Sequence, residues 1–158
     1  MGGLSNPASS PPVIYVASFS KAITFDGTPV AAGNIITVVQ SSAIVSYNSG
    51  TSSFSINDTG FYQFVINAQL AKGGVNWPIN NVWFEVALGG PSAGMSAIGN
   101  VAYDGAGYAS PGGIEAQSVY FDNVIPANLY NLGLTAFSSS NAAYTGAIFG
   151  TIIIQQLS

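Results

Sequence analysis

Residues 60–71 read GFYQFVINAQLA. Apolar side chains recur at Tyr62, Phe64, Ile66, Ala68 and Leu70, with Gln63, Asn67 and Gln69 on the alternate positions. A repeat of two is the period of a β-strand, so the stretch predicts a long strand with one buried and one polar face. The cluster Asn57-Asp58-Thr59 just before it is turn-forming, and Gly60 is expected to take a positive φ there.

The same grammar extends in both directions. Further strands are expected at 13–25, 34–39, 43–47, 51–56, 82–88, 97–103, 116–124, 129–137 and 147–157. Nineteen glycines and eight prolines punctuate runs rich in Val, Ile, Tyr, Phe and Thr. Helical patterning is nearly absent, which predicts an all-β fold, a sandwich or barrel of many strands. The final segment, AIFGTIIIQQL at 147–157, is almost continuously apolar. A strand apolar on both faces must be covered on both. A two-layer monomer covers one of them, so a neighbouring subunit is the economical cover for the other.

Composition supports assembly. The chain has 158 residues, which suits one domain, and 48% of them are hydrophobic. Only 5% are charged, against roughly 25% in an ordinary soluble domain. Interface cores show the same depletion; a secreted protein with a neutral surface would also fit. The net charge is −4 and the two lysines, Lys21 and Lys72, stand alone, which argues against binding nucleic acid or an anionic membrane surface. No apolar run approaches the length of a membrane span. With no Cys and no His, disulfides, thiolate zinc sites and His-based catalysis are excluded. Residues 1–12, MGGLSNPASSPP, lack the basic and apolar regions of a signal peptide. They read as a flexible leader or an anchoring peptide ahead of a domain at 13–158.

Phe54, Gly60, Tyr62 and Phe64 form F-x5-G-x-Y-x-F, which resembles the core of the C1q-domain signature. Phe149, Gly150 and Ile152 resemble the closing strand of that family, Ala17, Ser18 and Phe19 its opening strand, and Tyr47, Asn48 and Gly50 the segment entering the signature. INDTGFYQF and GTIIIQQL are similar to bacterial members, the BclA-like C-terminal heads of collagen-like glycoproteins of the Bacillus spore surface. The resemblance covers 13–157. The family pattern continues to an aromatic where this chain has Ile66, which keeps the apolar file but departs from the animal branch.

The resemblance implies an antiparallel two-sheet jelly-roll sandwich of ten strands, C1q/TNF-like, packed as a homotrimer about an aromatic and aliphatic axis. Tyr62, Phe64, Ile66, Phe149, Ile152 and Ile154 are the expected trimer-interface residues. It also implies an extracellular setting: the tip of a fibre on a bacterial spore surface (exosporium) or other appendage, joined to a stalk or filament through the leader. This chain has no Gly-X-Y repeat of its own.

Chemistry is sparse. The carboxylates Asp26, Asp58, Glu85, Asp104, Glu115 and Asp122 are scattered. Glu85, inside a strongly β-prone run, is expected either to face solvent or to find a hydroxyl or amide partner. Asp104 with Asn100 is the best calcium candidate, yet it lacks the several oxygens of a loop site. Asn57-Asp58-Thr59 is a formal glycosylation sequon that reads more simply as a turn. No enzyme activity, cofactor or metal is expected. Two Gly/Ser-rich connections, 89–99 and 104–113, are the places for variable binding surface. Trp77, Tyr103 and Tyr108 are the candidate ligand residues, able to stack on a sugar or a protein receptor.

Overall fold

The computed structural model describes residues 14–72, 82–90, 94–101, 114–126, 128–138 and 145–158. The leader at 1–12, Trp77, Tyr103, Asp104 and Tyr108 lie outside them.

The described strands are β1 (Ile14–Thr24), β2 (Val30–Ala31), β3 (Ile36–Gln40), β4 (Val45–Asn48), β5 (Ser53–Ile56), β6 (Gly60–Lys72), β7 (Val82–Gly89), β8 (Met95–Val101), β9 (Ile114–Val124), β10 (Leu129–Ser138) and β11 (Thr145–Gln156). They form two antiparallel sheets. One has five strands in the order β3-β1-β11-β6-β9; the other has six, β4-β5-β10-β7-β8 with β2 paired to β10. Each sheet draws strands from both halves of the chain, so neither half completes a layer alone. No helix occurs among the described residues, hence none long and apolar enough to cross a membrane.

The core lies between the sheets, and alternation decides what enters it. Tyr62, Phe64, Ile66, Ala68 and Leu70 of β6 point inward beside Ile148, Ile152 and Ile154 of β11. They meet Phe54, Phe84, Val86, Leu132 and Leu134 of the facing sheet, all buried. Each Val, Leu, Ile or Phe among them contributes about 1.5–3 kcal/mol by leaving water. Aromatic rings stitch the layers together: Phe64 stands 4.8 Å from Tyr130, and Tyr15 meets Phe54 edge-on at 5.9 Å. Lys21 of β1 reaches across to the β2 strand, where its ammonium donates to the carbonyls of Ala31 at 3.0 Å and Ala32 at 3.4 Å.

Three local expectations change. The strand expected at 51–56 begins only at Ser53, because Ser52 holds a left-handed φ of 53°. That conformation costs about 1–2 kcal/mol for a residue with a side chain. Two bonds hold it: the Ser52 carbonyl accepts from Leu132 N at 2.7 Å, and its hydroxyl accepts from Gly33 N at 2.7 Å. The strand expected at 97–103 starts earlier, at Met95, so part of the connection expected at 89–99 is regular strand. Gly60 does not take a positive φ; among described glycines only Gly27 and Gly33 do. Gly60 answers to space instead. A Cβ there would lie 2.5 Å from the Ser158 carbonyl oxygen and 2.8 Å from Gln156 Nε2.

Candidate functional site

The expected interface residues divide by face. Tyr62, Phe64, Ile66, Ile152 and Ile154 are wholly buried within their own chain and point at the opposite sheet. They are core residues, not surface contacts, because strand alternation puts their side chains on the inner face. Phe149 has the opposite parity and is half-buried on the outside of the five-stranded sheet.

That outer face carries the file the sequence reading passed over. In register across four strands stand Val119, Val65, Ile153 and Val16. Val119 is 47% exposed and the other three are half-buried. Beside them Phe61 and Phe121 stack with ring centroids 5.9 Å apart and planes 14° from parallel, and both rings are exposed. Val65 was the available signal: it interrupts the otherwise polar file Gln63, Asn67, Gln69. The apolar run at β11 supplied the other half, since Ile153 is the member of Ile152-Ile153-Ile154 that faces outward.

Next to this apolar row lies a shallow groove of about 790 Å³. Its floor is the registered line Ala116, Ala68, Gly150 and Phe19, where side chains point inward or are missing. Its walls include Asn67, Gln69, Gln117, Thr151 and Phe149. Gly150 is required there, because a Cβ would collide with the Asn67 carbonyl oxygen of β6. The one carboxylate in the groove, Glu115, accepts from Gln69 Nε2 at 2.8 Å.

The other described carboxylates have neutral partners of their own. Glu85 accepts from the Ser96 hydroxyl on the neighbouring strand, the hydroxyl partner that a charge in a β-prone run requires. Asp26 accepts from Thr28 N at 2.8 Å, and Asp58 from Gln156 Nε2 at 3.3 Å. Asp122 is buried and takes the Tyr130 hydroxyl at 2.9 Å. Among the described residues no group of three or more Asp, Glu, His or Cys could hold a metal ion. The Asn100–Asp104 calcium candidate falls partly outside the described residues.

Comparison of the fold with solved structures is decisive where sequence is not. No family model and no curated protein matches the chain by sequence. By structure, murine APRIL at pH 5.0 matches with a TM-score of 0.56 at 9% identity, covering 93% of this chain and 100% of that one. The globular domain of zebrafish complement 1qA protein matches with a TM-score of 0.53 at 8% identity, covering 94% and 98%. PRD1 vertex protein P5 matches with a TM-score of 0.52 at 12% identity, covering 92% and 99%. The fold is a C1q/TNF-like jelly roll. At such identities the likeness is one of fold, and the jelly roll alone assigns no partner. Function must come from the faces the jelly roll exposes.

Proposed function

We propose that the chain is one protomer of a non-enzymatic homotrimeric head, and that three copies meet through the outer face of the five-stranded sheet. The row Val119–Val65–Ile153–Val16, flanked by the Phe61–Phe121 stack, carries this reading. Apolar patches of this kind on a charge-poor surface are what stable interfaces are built from. The three-fold packing is what the C1q-like resemblance implies. Its placement differs from the first expectation: Phe149 stays as a contact, while Tyr62, Phe64, Ile66, Ile152 and Ile154 support it from behind.

The head sits at the tip of a bacterial surface fibre, with the spore exosporium as the setting favoured by the BclA-like segments INDTGFYQF and GTIIIQQL. There it holds three chains together and makes the outermost contact, with the leader at 1–12 joining it to a stalk or filament. A second reading is the receptor- or glycan-binding head of a phage-type fibre or a TNF-like ligand, with Trp77, Tyr103 and Tyr108 at the contact. The match to a PRD1 vertex protein favours it.

Native mass spectrometry at micromolar concentration tests the assembly. A trimer is expected for the wild type and a monomer for Val65→Lys. A stable wild-type monomer overturns the proposal. Antibody labelling of intact spores, cells and virions of the source separates the two settings.

A further inference from the structure

A second groove, of about 530 Å³, opens on the other side of the molecule, on the outer face of the six-stranded sheet. It crosses β4, β5 and the start of β10, where Ser46, Ser55 and Leu129 stand in one registered row. Its lining is made of hydroxyls, one amide and two apolar groups, with no charged side chain. We propose that this groove is a binding site for a neutral saccharide.

The polar groups are already organised. Ser46 Oγ and Ser55 Oγ lie 2.8 Å apart, and Thr51 Oγ1 and Ser53 Oγ lie 2.6 Å apart. In each pair one hydroxyl donates to the other. In the Ser46–Ser55 pair the second hydrogen and the outward lone pairs remain open to the groove, and the donating partner polarises them; Ser53 is only 2% exposed, so the other pair offers the groove the Thr51 hydroxyl alone. A sugar hydroxyl needs a donor and an acceptor at once, and the Ser46–Ser55 pair presents both. The Asn48 amide is oriented as well. Its Oδ1 accepts from Gly50 N at 2.8 Å and Thr51 N at 3.3 Å, so its nitrogen keeps two donors for a ligand.

Leu129, 51% exposed, gives the groove an apolar patch against which a sugar ring's C–H face can pack. Side chains tied to one another before binding lose little freedom on binding, which favours a weakly held, strongly hydrated ligand such as a saccharide. An ionic ligand finds no counter-charge among the lining residues, and burying an unpaired ion is unfavourable. The site lies on one sheet of one protomer, away from the face proposed for assembly. It deepens the recognition reading by naming a ligand class and moving the contact from the 104–113 connection to the sheet.

The test is a glycan array carrying neutral, sialylated and sulfated glycans, probed with the full chain, followed by solution titration of the neutral hits. Neutral glycans are expected to bind. Ser46→Ala with Ser55→Ala should weaken binding about tenfold or more, as loss of two directed hydrogen bonds predicts, and Leu129→Ser should weaken it too. The assembly variant Val65→Lys should bind per site as wild type does, so failure of the assembly reading leaves this one standing. Thermal melts accompany each variant, and Leu129→Ser decides alone should the double variant unfold. No neutral binder, binding of anionic glycans only, or unchanged affinity in the groove variants would each overturn the proposal, the last while leaving the recognition reading intact.

Discussion

Tyr130 and Asp122 meet between the two sheets: the phenol donates a 2.9 Å hydrogen bond to Oδ2 of the carboxylate, and both side chains are buried. Asp122 comes from β9 and Tyr130 from β10, so the bond ties an edge strand of one layer to the other layer. Tyr130→Phe leaves a buried carboxylate short of a partner. It should cost about 1–3 kcal/mol in chemical denaturation at neutral pH. Asp122→Asn, which keeps an acceptor, should lose less.

The same pair governs alkaline stability. Burial first, and the Asp122 carboxylate second, push the Tyr130 phenol well above its ordinary pKa of 10.0. In the unfolded chain the phenol ionises near 10, while in the folded chain it stays protonated. Stability is therefore full below pH 10 and falls as pH rises above it. Tyr15, Tyr47 and Tyr62 are raised by burial as well and add to the slope. Denaturation midpoints measured from pH 8 to 11 should decline beyond 10, and less steeply in Tyr130→Phe.

Tyr15 makes the opposite case. Its hydroxyl is the one buried side-chain polar atom among the described residues that lacks a hydrogen-bond partner. Removing an unpaired buried polar group relieves a desolvation cost. Tyr15→Phe should leave stability unchanged or raise it by about 1 kcal/mol, read from the urea midpoint.

Neighbouring positions on β6 should behave as opposites. Ile66→Ala opens a hole in the core and should cost about 2–5 kcal/mol. Val65→Asn, on the outer face, should change the stability of the isolated protomer by about 0.5 kcal/mol or less, while weakening self-association. Paired denaturation and light-scattering measurements check both; equal destabilisation would contradict the observed faces.

Two glycines of the strands should also part. Gly150→Ala forces a Cβ against the Asn67 carbonyl oxygen, within the β11–β6 pairing. A loss of about 1–3 kcal/mol or more is expected, as for overpacking. Gly133→Ala meets nothing within 4 Å and should stay within about 0.5 kcal/mol. Thermal melts decide both.

Much of this architecture was legible in the chain. The alternation at 60–71 predicts β6 and the correct inward file, and the apolar run at 147–157 predicts β11. The 95–101 segment was harder. Its glycine looks like a loop signal, yet Gly99 lies in β8, where a Cβ would collide with Phe84 and Ile114. Propensity cannot separate a glycine required by packing from one required by a turn.

Residue order alone determined that this is an all-β chain, poor in charge, with strands too apolar to stand uncovered. Period-two patterning also determined that Tyr62, Phe64 and Ile66 share one face. Only the tertiary structure decided what covers that face. Alternation records that a side chain leaves water and is silent on whether its cover is the chain's own second sheet or another molecule. Pairing β6 with β11 and β9, and stacking that sheet on the other, assigned Tyr62, Phe64 and Ile66 to the core and left Val65, Ile153 and the Phe61–Phe121 stack on the outer face.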